Sequence, residues 1–445
     1  MSRAKQLHLG WLVEPTGKHV ASWLDPETQA DAANDIDFFV KMARTCERGK
    51  FDMMFVADTP GAPTKNPLLL SRRGAFMTRF EPVTFLSAIA MATKRLGLGA
   101  TVSASFTEPY NVARYFSSLD HLSHGRGAWN VVTTVQDHAA LNFGLDRLPD
   151  HADRYERARE FVQIVTALWD TYEDDAFVRD RAAALYFDPR RFHPIDHRGK
   201  YFSVRGALNC ARSPQGRPVI IQAGASKDGL SLAAETADAT FGAGGDLDRA
   251  LSYYRAVKAR TAEVGRAPDS LKVLQCINLV LGESRQQAED DFQAMQARVH
   301  PDIVRETMSF ELEIDLTDFP LDKPIPEDML PKTANRHQAY FDHLVRIIKK
   351  DRPTLRELFS RWTGDVFRGT PVELADMMEH WFTIGAADGF MISFESMSNA
   401  LDVFVDRVVP ELQRRGLFRT EYEGTTLRDH LGLSRPPSRY AQATE

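Results

Sequence analysis

Cysteine is scarce in this chain: its 445 residues hold three, Cys46, Cys210 and Cys276, widely separated. An odd number at such spacing excludes a disulfide framework and predicts reduced thiols, most of them buried. No run of about 18 apolar residues occurs, the length a membrane-spanning helix requires. The opening Met1-Ser-Arg-Ala-Lys-Gln-Leu-His8 lacks the apolar stretch of a signal peptide. A soluble, cytoplasmic protein is expected. Basic clustering is missing too: the net charge is -6 with the signs intermixed, which argues against a nucleic-acid surface. No Gly-x-Gly-x-x-Gly follows a predicted strand, so a dinucleotide site of the usual kind is not expected. His121-Leu-Ser-His124 and His193-Pro-Ile-Asp-His197 have possible metal-ligand spacings, but no His-Glu-x-x-His or Cys-x-x-Cys pair supports them, and no metal is expected. Gly224-Ala-Ser-Lys-Asp departs from a nucleophilic-serine elbow at its last glycine.

What is present is a large apolar fraction, 43% hydrophobic against 26% charged, in a repeating order. Short buried-strand patterns at 7–13, 51–58, 96–102, 126–134, 218–223, 239–242, 271–281 and 388–394 alternate with helical periodicities. Strand-helix-strand order without hairpin signals predicts a parallel sheet, and this count predicts an α/β fold of the (β/α)8 TIM-barrel type. An open doubly wound sheet is the alternative. One barrel domain over 1–433 is expected, with insertions near 59–80, 170–214 and 300–365 and a mobile tail at 434–445. In such a barrel, chemistry gathers at the carboxyl ends of the strands. The stretch 76–134 is the densest there, ending two strands in polar residues.

Several residues at these ends suit a phosphorylated ligand with a planar apolar face. Ser226, with the backbone from Ala225 to Lys227 at a helix start, can hold a phosphate, aided by His151 and Tyr155, which share the first turn of a helix. Thr101 and Asn130 can meet polar ring or chain atoms, and Asp58 closes its strand with a carboxylate. Each also has a plainer reading: Ser226 as an ordinary helix cap, Tyr155 as core, Asn130 as a turn residue. Trp11, Phe80, Phe106 and Phe310 are candidates for an aromatic substrate wall, or for barrel and lid core. With Arg79 and Lys227 the clear cations at the mouth, an aromatic or heterocyclic substrate is expected rather than a polycarboxylate.

The residues also carry a resemblance. Phe80-Glu-Pro, Gly97-Leu-Gly-Ala-Thr, Pro109-Tyr-Asn-Val-Ala-Arg114, Trp129-Asn-Val-Val-Thr-Thr134, Glu47-Arg-Gly-Lys-Phe-Asp52, His151-Ala-Asp-Arg-Tyr155, Gln222-Ala-Gly224 and the run Phe418 to Arg428 span nearly the whole chain. Together they resemble the bacterial-luciferase-like flavin monooxygenases, in the branch with nitrilotriacetate, pristinamycin, dibenzothiophene-sulfone and long-chain-alkane monooxygenases. The resemblance implies a TIM barrel with insertions that binds FMN as FMNH2, delivered by a separate NAD(P)H:flavin reductase. It implies O2-dependent oxygenation or cleavage of a small organic substrate, sulfur- or nitrogen-containing, heterocyclic or xenobiotic. Asp58, Thr101, Asn130, His151, Tyr155, Ala225 and Ser226 are the matching FMN positions, with Ala225 where the family often has serine. His19, His138 and His151 are the implied catalytic side chains, stabilising activated oxygen or moving protons. A homodimer or homotetramer is expected. A deazaflavin-dependent dehydrogenase of the same superfamily, or a flavin-binding barrel without turnover, are the alternative functions.

Overall fold

The computed structural model describes residues 5–441 other than 65, 75–76, 225, 243, 333–337 and 363–365. Eleven strands occur among them: β1 (His8–Leu12), β2 (Met53–Val56), β3 (Gly97–Ser103), β4 (Gly127–Val132), β5 (His197–Arg198), β6 (Ser203–Val204), β7 (Val219–Gln222), β8 (Ala239–Gly242), β9 (Lys272–Leu281), β10 (Val366–Gly369) and β11 (Gly389–Phe394). Eight of these, β1 to β4, β7 to β9 and β11, pair in parallel, and β11 joins β1 to β9 so that the sheet closes. This is the (β/α)8 barrel that the strand spacing predicts. The extra strand β10 adds to the outer part of β9, and β5 and β6 form a small antiparallel hairpin in the 170–214 insertion.

Two-residue periodicity explains why these strands close. Met53 and Phe55 of β2 meet Ala128, Ile221, Phe241, Leu274 and Met391 in one buried cluster that fills the barrel. Their sequence neighbours Met54, Leu98, Trp129 and Ile220 point the other way, into a larger cluster shared with Phe39, Leu86, Phe116 and Phe161 of the surrounding helices. Such two-sided burial gives the near-continuous apolar runs seen in the sequence. Trp11 belongs to the outer set. It is fully buried with Leu9 and Val13 between barrel and helices, so the expected place in a substrate wall is corrected.

The amino ends of the strands are closed by the C-terminal segment. Leu427 and Leu431 pack into the interior cluster, Arg419 pairs with Asp52 at 2.6 Å, and Arg428 pairs with Asp238 at 2.6 Å. The tail expected to be mobile is packed as far as it is described: Arg435 donates to Asp174 at 2.8 Å, and Tyr440 stacks on His193 at 3.8 Å.

At the carboxyl ends the third insertion folds into the helices Pro301–Leu312, Gln338–Asp351 and Leu355–Trp362 around a core of its own, including Ile303, Met308, Leu344, Leu355 and Phe359. Leu69, from the loop after β2, joins that core. The same loop is clamped by Asn66 donating to Glu306 at 2.8 Å and Arg73 donating to Thr307 at 3.2 Å. The two insertions therefore meet over one side of the mouth. No helix among the described residues is long and apolar enough to cross a membrane.

Candidate active site

Two groups of residues converge at the barrel mouth. The first spans β3, β4 and the loop after β7. Thr101 and Asn130 are register partners facing the barrel interior. Asn130 Nδ2 donates to Thr101 Oγ1 at 2.9 Å, and Thr101 passes its own proton to the Val56 carbonyl at 2.8 Å. This leaves Asn130 Oδ1 buried with no donor, an arrangement that costs on the order of 1–3 kcal/mol unless a ligand satisfies it. Beyond β7, Ser226 caps the helix Lys227–Thr236 by accepting from Gly229 N at 3.1 Å. A Cβ placed on Gly224 would lie 2.9 Å from the Tyr155 hydroxyl, so that hydroxyl reaches the turn preceding the helix. The His151 ring lies 4.7 Å from that of Tyr155, tilted by 42°, with its Nδ1 3.3 Å from Asp228 of the helix Lys227–Thr236. Tyr155 and His151 thus stand beside a helix N-terminus, where exposed N–H groups favour an anion. Ala225 lies outside the described residues.

The second group lies after β2. A cavity of about 670 Å³ is lined by Asp58, Arg73, Arg79, Phe80, Gln136 and His138 among others, within the range of about 300–1,000 Å³ usual for small-molecule sites. Burial raises the Asp58 carboxyl, with Arg79 opposing. Arg79 is fixed by donating to the Ala57 carbonyl at 2.5 Å, and its guanidinium lies 3.9 Å from Glu14. His138 Nε2 donates to the Gly61 carbonyl at 3.2 Å, tying its helix to the loop. Phe80 stacks on Phe85 at 5.7 Å beneath the cavity.

Other sequence candidates are placed elsewhere. His19 is buried against Phe292 at 6.3 Å and accepts from Ala21 N at 3.2 Å; burial lowers its ring to about 4. This enclosed ring does not line the cavity beside Asp58. Phe106 stacks on Phe143 at 4.7 Å and does not line the cavity. Phe310 sits on the outer side of the helix Pro301–Leu312, 47% exposed, so it is lid surface rather than pocket wall. Of the histidines with metal-like spacing, His193 meets Glu173 and His197 meets Glu160.

Sequence reasoning missed four charged residues here. Glu14 follows β1 and Glu395 follows β11, both buried; burial raises both carboxyls, Glu395 to about 7, with Lys18 opposing in each case. Lys18 donates to Asn278 of β9 at 2.8 Å. Arg73 is the fourth. The signal for Glu14 and Glu395 was available, since each follows a barrel strand as Asp58 does. Arg73 sits in a loop with no period and gave none.

Comparison with known proteins agrees with this architecture. The model of the luciferase-like monooxygenase family matches residues 18–385. The chain belongs to that family. This monooxygenase is 43% identical over 446 residues to N-acetyl-S-(2-succino)cysteine monooxygenase of Bacillus subtilis (strain 168), covering 99% of this chain and 100% of the relative. It is 41% identical over 456 residues to nitrilotriacetate monooxygenase component A of Aminobacter aminovorans, covering 99% and 100%. The crystal structure of DmoA from Hyphomicrobium sulfonivorans matches it with a TM-score of 0.85 at 32% identity, covering 96% of this chain and 92% of that one. The luciferase-like monooxygenase barrel is thus the frame in which the two groups of mouth residues act.

Proposed function

We propose that this protein is the oxygenase of a two-component system, using reduced FMN from a separate NAD(P)H-dependent flavin reductase, and O2, to oxygenate or cleave a small organic molecule. The observation that carries this reading is the buried Asn130 Oδ1, an acceptor without a donor at the mouth of the barrel. A ligand N–H or O–H there would complete the Val56–Thr101–Asn130 chain. Tyr155 and the helix N-terminus at Ser226 would hold the phosphate, while His151 packs Tyr155 in place. Bound reduced FMN would supply the electrons that activate O2. Asp58 and Arg79 would orient the reacting groups beside the cavity. His138, with Nε2 committed to Gly61, keeps Nδ1 for exchanging a proton with substrate. The insertions limit water at the site. A relative's designation as component A supports a division of labour with a reductase, as does the absence of a Gly-x-Gly-x-x-Gly motif. The cytoplasm, where NAD(P)H is made, is the setting we assign, and a homo-oligomer the assembly.

The test is ligand choice by the purified chain. Anaerobic titration is expected to give tighter binding of reduced than of oxidised FMN, and the chain alone is expected to leave NADH unoxidised. Steady NADH oxidation without a partner reductase would contradict the proposal.

A further inference from the structure

The charges around the 670 Å³ cavity do not balance locally. Arg79 is shared by two carboxylates, lying 3.9 Å from Glu14 and opposing the upward pKa shift that burial gives Asp58. Glu81 is committed to its own helix, accepting from Val83 N at 2.9 Å and Thr84 N at 2.7 Å. Glu306, the charge acting on Arg73, accepts from Asn66 at 2.8 Å and forms no ion pair with Arg73. Among the described residues the Arg73 side chain donates to a neutral hydroxyl, Thr307 at 3.2 Å, and its Nε is buried without an acceptor. It lines both this cavity and a smaller one of about 170 Å³ that reaches Glu14 and Trp23. A guanidinium partly withdrawn from water with no contacting carboxylate among the described residues is unfavourable, and its planar fork is shaped to pair with one.

The geometry points to Arg73 as the anchor for a carboxylate of the substrate, so that the molecule oxygenated beside Asp58 is a small organic acid rather than a neutral aromatic. This rests on the monooxygenase reading above. It reverses the expectation of a heterocyclic substrate, which counted only Arg79 and Lys227 as cations. An acid bound at Arg73 presents its far end towards Asp58 and His138, which line the same cavity. The atom to be oxygenated then lies within the length of the cavity from the carboxylate.

The experiment compares matched pairs, small thioether and amine carboxylic acids against their primary amides, by calorimetry with reduced FMN present and oxygen excluded. At least one acid is expected to bind tenfold or more tightly than its amide. Arg73→Gln should shrink that ratio to threefold or less, with unchanged affinity for reduced FMN, and Arg73→Lys should restore part of it. Thr307→Val removes the lid contact but keeps the charge, and is expected to preserve the ratio. Equal binding of acid and amide, or a ratio that survives Arg73→Gln, overturns the assignment. A ratio lost equally in Thr307→Val assigns Arg73 to loop clamping and overturns it too. Labelled product from neutral substrates alone would defeat the anchor and leave the monooxygenase standing. Acid-selective binding without any oxygen incorporation would do the reverse.

Discussion

Tyr155 and Glu395 are the side chains whose removal separates binding from stability most cleanly. Tyr155→Phe keeps the ring that lies beside His151 but removes the hydroxyl that reaches Gly224. The expected loss is on the order of 1–3 kcal/mol in affinity for reduced FMN, a hydrogen bond to a charged acceptor, with no loss for reduced riboflavin, which has no phosphate. Titration of both ligands checks it, and equal losses would move Tyr155 away from the phosphate. Glu395 bears on pH. Burial raises its carboxyl from the ordinary 4.5 to about 7, only partly opposed by Lys18 and Arg368. A carboxyl whose folded value is raised favours the folded state fully below its unfolded value, and that advantage disappears as pH rises through the folded one. The wild type is therefore expected to lose stability between about pH 4.5 and 7 through this group, and Glu395→Gln to flatten that fall. Urea midpoints at pH 5 and pH 8 test it; an unchanged slope in the variant would contradict it. Gly17 bears on the same corner: at φ 120° its added Cβ would lie 2.3 Å from the Glu395 carbonyl, so glycine alone allows the Lys18 loop to pass.

Among the elements, all eight barrel strands were legible because each is a short apolar run between helices with clear periods. Capping was legible as well: Thr370 and Glu373 form the capping box that their spacing predicts. What was hidden has physical causes. The helix Ile36–Arg48 starts where Asp35 accepts from Asp37 N and Phe38 N, a cap that apolar periodicity alone does not locate. The 300–365 segment was expected only as an insertion, and its three helices are revealed by the core around Leu344 and Phe359. The residues expected at a phosphate end were named because they open helices after strands. Asp58, Phe80 and His138, each named from the sequence, line the cavity, whereas Trp11, which the sequence left between substrate wall and barrel core, lies on the outer face of β1. The Asp52 cluster at the opposite end supplies an element-level prediction. Burial alone would push Asp52 up, but Arg419 and His8 outweigh it and hold the carboxyl at about 2. The stability this provides is present above the ordinary value of 3.8 and is lost as pH falls through about 2. Arg419→Leu should cost about 3–5 kcal/mol near neutral pH by leaving a buried carboxylate short of its main partner. The deficit should shrink on acidification, as protonation then relieves the variant first. Denaturation midpoints at pH 7 and pH 4 measure this; a deficit independent of pH would place the cost in packing instead.

At the scale of the molecule, the two ends of the barrel divide the work. Buried ion pairs at the amino ends, Arg419 with Asp52 and Arg428 with Asp238, join the C-terminal segment to the strands. Among the described residues the carboxyl ends carry an unsatisfied acceptor, raised carboxyls and a guanidinium without a contacting carboxylate. The insertions lie over that end and give the family barrel its own cavity. The central claim is that this cavity is where one atom of O2 enters an organic molecule at the expense of reduced FMN made elsewhere. The most direct measurement couples the purified chain to an unrelated flavin reductase, NADH, FMN and 18O2, and follows small carboxylic acids, sulfones, heterocycles and alkanes by mass spectrometry. The account predicts a substrate-dependent product carrying a single 18O, absent when either the reductase or FMN is omitted. Hydrogen peroxide as the sole oxygen product across every class, with no label in any organic molecule, would contradict it.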